Sequence, residues 1–334
     1  MYRSVINIRN HCFDNGYFRV VTAEVPVISI GNLSVGGSGK TPFTLMLARL
    51  MQAMHIPISL LSSGYGRSSI GEVCIVSQGK VRPEITPDEA GDEVYMHALT
   101  GLYHTVIAQK PKFKSIHQFT TPVLIDDGFQ HRKIKRDLDI VLVSAKDLHD
   151  RLLPFGRLRE PLSSLKRADI VVCTDDTSRK EFEPFMNSVA LFCRTQSIMK
   201  EPYALSEYAS SVHEYSHCEL HEPVMAVAGI ANPERFMESL MKNGIKVQHH
   251  HWLKDHVQYS HSLIEELCDE AKKHGCSTIV ITSKDAVKMQ AYSSICSSHG
   301  IRVIGIPIFV ECIEGKSELV SKISEVCSSF IKSQ

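Results

Sequence analysis

Residues 34–41 read Ser34, Val35, Gly36, Gly37, Ser38, Gly39, Lys40 and Thr41, a glycine-rich turn ending in a lysine and a hydroxyl. Such a turn aims successive backbone N–H groups at one anion, and glycine lets the backbone come close. In a loop of this kind the lysine reaches the outer phosphates of a nucleotide and the threonine hydroxyl ligates magnesium. The pattern G-x-x-x-x-G-K-[ST] is met except at its first glycine, which is Ser34 here. Gly36 and Gly37 still supply the conformational freedom. Pro42 falls in the first helical turn, where a missing N–H costs little.

Further groups carry chemistry. An apolar run ends in Asp126 and Asp127. Paired Asp before Gly is common in turns, but downstream of a P-loop it reads better as the strand-tip carboxylates that hold magnesium, directly or through water. Arg157, Arg159, Glu160, Lys166 and Arg167 crowd one segment, and planar guanidinium groups suit phosphate. Asp92 and Glu93 lie early in a helix that starts at Pro87, where acids ordinarily serve the helix dipole unless something draws them to the P-loop. Lys110, Lys112 and Lys114 read as solvated. His249, His250 and His251 precede Asp255 and His256. The absence of H-E-x-x-H spacing argues against a metal there, whereas a histidine bonded to an aspartate can tune an acid or base.

These groups need a scaffold. Residues 27–30 are a short apolar strand, and Phe43, Met46, Leu47, Leu50, Met51 and Met54 recur at helical spacing after the turn. Further strands are expected near 56–61, 73–76, 104–108, 121–127, 138–143, 170–174 and 189–195, with a helix from Pro87 stopped at Gly101. The fold class is therefore α/β, a P-loop NTPase-type, mostly parallel sheet covered by helices. Periodicity fades over 196–222, which is assigned as a hinge between a P-loop domain at 25–195 and a smaller α/β domain at 223–334. That second domain is expected to have strands near 223–229, 246–250, 278–282 and 302–306, and helices near 235–243, 258–274, 285–298 and 315–331. Residues 1–24 form a basic amphipathic segment, suited either to an anionic membrane surface or to packing on its own domain.

The balance of 37 basic and 37 acidic residues gives no global field for nucleic acid. Ten cysteines without a C-x-x-C pair read as reduced thiols of a cytosolic protein rather than a disulfide frame or zinc site. No apolar run has the length of a membrane span or the form of a signal peptide. A GTPase would need [NT]-K-x-D, but in Thr282-Ser283-Lys284-Asp285 the Asp adjoins the Lys. A deviant-Walker ATPase would need a lysine where Val35 stands. A P-loop ATPase, or a kinase with another acceptor, is the alternative on residues alone.

The blocks VPVISIGNLSVGGSGKTP, SSGYGR, EAGDE, DDGFQHRKIKRDLDIVLV, LPFGRLREPLSSLKRAD, VAGIANPERF, KDH and ITSKDAVK occur in this order. In them the chain resembles the tetraacyldisaccharide 4′-kinase (lipid A 4′-kinase) family. The resemblance implies transfer of the ATP γ-phosphate, with magnesium, to the 4′-hydroxyl of a lipid-linked disaccharide 1-phosphate. It implies a peripheral protein, expected as a monomer, on the cytoplasmic face of a Gram-negative inner membrane, with its active site between two hinged α/β/α domains. By motif, Lys40 and Thr41 serve nucleotide and magnesium, Asp126, Asp127 and Glu160 surround the metal, Asp92 is the catalytic base, and Asp255–His256 is the pair brought from the second domain. The chain departs from the family pattern at Ser63, where arginine is usual, and has a shorter apolar N-terminal segment than many members.

Overall fold

The computed structural model describes residues 2–65, 67, 72–82, 84–205 and 218–331. In chain order its strands are β1 (Val27–Asn32), β2 (Ser59–Ser62), β3 (Cys74–Gln78), β4 (Lys80–Val81), β5 (Thr105–Ala108), β6 (Val123–Asp126), β7 (Leu138–Val143) and β8 (Ile170–Cys173). They continue as β9 (Leu191–Met199), β10 (Tyr203–Ala204), β11 (Val224–Ala228), β12 (Val247–Trp252), β13 (Thr278–Thr282), β14 (Arg302–Ile306) and β15 (Ile308–Glu314). A ten-stranded sheet has the order β15-β9-β8-β7-β1-β6-β2-β5-β3-β4, and a five-stranded sheet the order β10-β14-β13-β11-β12.

The larger sheet explains how the two anion-handling motifs meet. β1 lies between β6 and β7 and is parallel to both, with Ile30 opposite Asp126 in one direction and Ile140 in the other. The turn leaving β1 and the carboxylates ending β6 therefore emerge side by side at the carboxyl edge of the sheet, where ligands of open α/β sheets bind. All residues of β1, β6 and β7 are buried, as strands covered on both faces require. Helix Lys40–Ala53 lays Phe43, Leu47 and Met51 on this sheet. Each such side chain contributes about 1.5–3 kcal/mol by leaving water, so the helix that opens at the P-loop is fixed by its far side.

The expected unit 223–334 is corrected by the sheet pairings. β15 pairs antiparallel with β9 and so extends the larger sheet, and helix Lys316–Ile331 packs Leu319, Ile323 and Cys327 into that sheet's core. Conversely, β10 already belongs to the smaller sheet. The chain thus crosses between the lobes twice. β15 escapes periodicity analysis because it is a half-exposed edge strand with charged residues at Glu311 and Glu314. The expected hinge falls partly on residues 206–217, outside the described residues.

The helix expected from Pro87 is two helices, Pro87–Ala90 and Asp92–Leu99, separated by Gly91 at φ 89°. A Cβ at Gly91 would come within 3.0 Å of the Tyr65 carbonyl oxygen, so both the backbone angle and the close approach require glycine. The break makes Asp92 the first residue of a helix. The same face of that helix bridges the lobes, since Met96, one turn after Asp92, is buried in the core of the smaller lobe with Leu45, Tyr95 and Leu99 against it. Residues 2–14 form a helix, Tyr2–Asp14, that packs on its own lobe through buried Ile6 while Val5 and Ile8 face outward. All ten cysteines are free. No helix among the described residues is long and apolar enough to cross a membrane.

Candidate active site

A cleft of about 870 Å³ opens between the lobes, lined by residues 34–42 of the P-loop, Asp126, Asp127 and Arg159 on one side and Asp255, His256 and Lys284 on the other. The P-loop helix begins at Lys40 with Gly39 in the left-handed region at φ 81°. Lys40 Nζ donates to Asn32 Oδ1 at 3.0 Å and lies 3.5 Å from Asp127 Oδ1. Arg159 grips Asp127 with both terminal nitrogens, at 2.8 and 2.9 Å, and also reaches Asn32 Oδ1. Burial opposes ionisation of Asp127, but the Arg159 hydrogen bonds and the charges of Lys40, Arg159 and Lys112 outweigh it and hold this carboxyl far below the usual range.

Its neighbour Asp126 differs. Burial raises its pKa, with Lys112 and Lys40 opposing. Ser62 Oγ is 3.4 Å from Oδ2, while Oδ1 is buried with no hydrogen-bond partner among the described residues. Lys112, expected as solvated, is buried instead. Its ammonium donates to the main-chain oxygens of Asp126 and Asp127, and burial, partly offset by Asp127 and Asp126, lowers its pKa to about 8. It thereby braces a turn in which Asp127 sits at φ 49°. Nearby His131 is held neutral, pushed down to about 3 by burial and then by the charge of Lys112.

Across the cleft, His256 Nδ1 is 3.1 Å from both oxygens of Asp92. Lys288 Nζ is 3.3 Å and Lys284 Nζ 3.9 Å from Asp92 Oδ2. Burial of Asp92 would raise its pKa, but the His256 hydrogen bond and the lysines win and lower it to about 2. The Asp92 hydrogen bond in turn raises the pKa of His256 against desolvation. Lys284 ties the pair together, at 3.0 Å from Asp255, 3.1 Å from Glu93 and 3.3 Å from His256 Nε2. The Tyr65 ring lies against His256, centroids 4.9 Å apart. Among the described non-glycine residues only His55, Asp127 and His256 have positive φ. Two of the three strained positions are thus in this cleft, as expected where geometry is held for chemistry.

The sequence-based expectations for Ser34 to Thr41, Asp126, Asp127, Asp255 and His256 converge on one cleft, with Asp92 directly behind His256 at 7% exposure. Glu160 does not converge. It is fully buried, 2.9 Å from Arg167, 4.0 Å from Arg9 and accepting a bond from Asn10 at 3.0 Å. Arg167 and Asn10 both bond its Oε2, which ties the N-terminal helix to this segment, while its Oε1 is buried with no hydrogen-bond partner among the described residues. Sequence reasoning assigned no part to Asn32, Lys284 or Lys288. Lys284 and Lys288 share one helical face four residues apart, which was the available signal.

A P-loop beside paired strand-tip carboxylates, facing a histidine from the second lobe that is bonded to an aspartate of the first, defines a P-loop phosphotransferase. The family model for tetraacyldisaccharide-1-P 4′-kinase (LpxK) matches residues 1–327. The chain belongs to that family. It is 37% identical over 301 residues to the tetraacyldisaccharide 4′-kinase of Aquifex aeolicus, covering 88% of this chain and 89% of that one. With the enzyme of the same name from Chlorobaculum parvum it shares 32% over 346 residues, covering 99% and 94%. Among solved structures, the "apo" form of LpxK from Aquifex aeolicus in complex with ATP superposes with a TM-score of 0.76 at 34% identity, covering 97% of this chain and 96% of that one.

Proposed function

We propose that this protein transfers the γ-phosphoryl group of ATP to the 4′-hydroxyl of a tetraacyldisaccharide 1-phosphate, the step that forms the bisphosphorylated lipid A precursor, at the cytoplasmic face of the inner membrane. The carrying observation is the single cleft shared by the P-loop with Asp126 and Asp127 and by the Asp92–His256 pair.

The P-loop N–H groups and Lys40 bind and orient the phosphates, and Arg159 is close enough to Lys40 and Asp127 to add charge at the same point. Little covalent chemistry is asked of the protein in phosphoryl transfer, so positioning and charge stabilisation dominate. Magnesium fits the residues present. Asp126 Oδ1 is a buried oxygen lacking a partner among the described residues, and with Asp127 and the Thr41 hydroxyl it supplies the hard donors this ion prefers. Bound there, the ion neutralises developing phosphate charge.

The acceptor hydroxyl must lose its proton. His256 lines the cleft, whereas Asp92 lies behind it. In place of the role of base that the resemblance gives Asp92, His256 therefore takes the proton, and the ionised Asp92 orients the ring through Nδ1 and stabilises the imidazolium, the division of labour typical of such pairs. Exposed Val5, Ile8, Tyr17 and Phe18, with Arg3 and Arg19, form a surface suited to shallow contact with anionic lipid.

The test is an assay of the purified protein with ATP, magnesium and tetraacyldisaccharide 1-phosphate, in which the lipid product is separated and its phosphate counted. A lipid with one added phosphate is expected. ATP hydrolysis without lipid phosphorylation would move the chain to the ATPase alternative.

A further inference from the structure

One titratable cluster lies outside the cleft and takes no part in phosphoryl transfer. Side chains alternate along β12, so His249 and His251 project from one face of this edge strand, while Gln248 and His250 project from the other. On helix His261–Lys273 and its cap, Glu270 and His274 stand four residues apart and hence on one helical face. The two faces meet. His249 Nε2 is 2.7 Å from Glu270 Oε1, His251 Nδ1 is 2.6 Å from Glu270 Oε2, and the His249 and His274 rings stack with centroids 3.7 Å apart. One donor atom from each of His249, Glu270 and His274 lies within 4.8 Å of the other two.

We propose that His249, Glu270 and His274 form a binding site for a zinc-class divalent transition metal, with His251 holding the second oxygen of Glu270. Two imidazoles and a carboxylate are a donor set such ions take, with bonds of about 2.0–2.2 Å and a fourth position left to water. Ligand atoms around a tetrahedral ion of that size stand roughly 3.3 Å apart, within the span these side chains already occupy. His251 on the non-ligating oxygen is the kind of outer partner that orients a metal-bound carboxylate. The oxygen donors of Asp126, Asp127 and Thr41 suit magnesium instead, so the two sites differ in the ions they select. Ligands drawn from a strand and from a helix some twenty residues further on give no contiguous sequence motif, which is why H-E-x-x-H spacing fails to report them. The ion would brace an edge strand whose one neighbour in the smaller sheet is β11 and whose continuation carries His256.

The experiment uses the untagged full chain with excess magnesium and no nucleotide. Zinc uptake is measured by equilibrium dialysis, and cobalt(II) is followed by visible absorption. We expect one equivalent bound with intense low-symmetry cobalt bands, affinity at least tenfold weaker in His249→Ala, His274→Ala and Glu270→Gln, and a loss of roughly 10–100-fold in His251→Ala. Unchanged far-UV circular dichroism of the variants shows that the loss is not unfolding. No uptake, uptake equal in wild type and all three ligand variants, or a thiolate-to-cobalt charge-transfer band assigning the ion to cysteine would each overturn the site.

Discussion

The cleft has two carboxylate poles, and they are neutralised in opposite ways. At the phosphate pole Asp126 and Asp127 meet Lys40, Lys112 and Arg159, all from the lobe that bears the carboxylates. At the acceptor pole Asp92 comes from that lobe, whereas His256, Lys284 and Lys288 come from the other. The first pole exists wherever the larger sheet is folded. The second exists only while the lobes are in contact, and the helix carrying Asp92 supplies that contact through Met96. Binding of phosphate and activation of the acceptor are therefore separable: one is a property of a sheet edge, the other of an interface.

The largest effect should come from the phosphate pole. Replacing Lys40 by alanine removes a cation from the transferring phosphoryl group, a loss of about 10³-fold in kcat, without touching the packing of Phe43, Leu47 and Met51. Wild-type thermal unfolding with near wild-type turnover would show that the charge at this pole is supplied without Lys40 and would remove the phosphate-binding role assigned to it.

The acceptor pole should respond next, and differently. Asp92→Asn and His256→Ala should each lower kcat by roughly 10²-fold, and the double variant by little more than either single one, because groups acting as a unit lose their effect together. Additive losses in single-turnover rates would break the pair apart. The pH profile adds a sign. In the proposed mechanism neutral His256 accepts the proton, and Asp92 raises its pKa, so the acidic limb of kcat should lie above the ordinary histidine value near 6.5 and move to lower pH in Asp92→Asn. The stability linkage runs the other way. His256 stabilises the fold below its unfolded pKa and loses that contribution as pH rises through its raised folded value, while Asp92 contributes above its unfolded 3.8 and loses it as pH falls toward about 2.

The difference between the poles also governs what could be read from sequence. The P-loop and the Asp126–Asp127 tip are contiguous strings on adjacent strands, so residue order and strand periodicity were enough to bring them together. Lys112 was misread because a lysine in a loop is ordinarily solvated, and only the fold reveals the two main-chain oxygens that hold it. β15 was missed because its burial is one-sided and its partner, β9, lies over a hundred residues away. Family likeness pairs His256 with Asp255, its sequence neighbour, whereas in the structure the ring bonds Asp92, and Asp255 stands 3.8 Å off, held by Lys284. Nothing in the spacing of Asp92 and His256 brings together residues 164 positions apart, and Gly91, which places Asp92 at a helix start, gives no local sign of what it faces. Glu160 is a metal residue by family likeness alone, and only the fold shows that it lies outside the cleft lining with Oε2 bonded to Arg167 and Asn10.

The place of Glu160 outside the cleft gives the third test. Glu160 holds Arg167 and Asn10 from complete burial. Removing one partner of a buried pair leaves an uncompensated charge and typically costs 3–5 kcal/mol, so Glu160→Ala should destabilise by about 3 kcal/mol in denaturant unfolding. The magnesium dependence of turnover should stay at the wild-type value under conditions where the variant is folded. A shifted magnesium response with unchanged stability would return Glu160 to the phosphate pole.

The smallest effect belongs to the N-terminal helix, which Glu160 anchors. Arg9 and Asn10 face the body of the lobe, Arg9 donating to the Gln130 carbonyl oxygen and Asn10 to Glu160, so they are not available to lipid. What faces outward is Val5 at 56% and Ile8 at 64% exposure, with Arg3 exposed beside them and Arg19 beyond Tyr17 and Phe18. Two basic residues near an anionic surface contribute about 1 kcal/mol each, and shallow burial of a few apolar side chains adds a similar amount, which yields weak and salt-dependent attachment. Vesicle co-sedimentation should therefore fall several-fold when Val5 and Ile8 are replaced by serine or when Arg3 and Arg19 are replaced by glutamine, and fall again for wild type at high salt. Turnover on a detergent-dispersed acceptor should be unchanged in both variants, because neither touches the cleft. Equal sedimentation of all variants with anionic and neutral vesicles would assign this helix to packing alone, its inner face serving Glu160 and its outer face nothing.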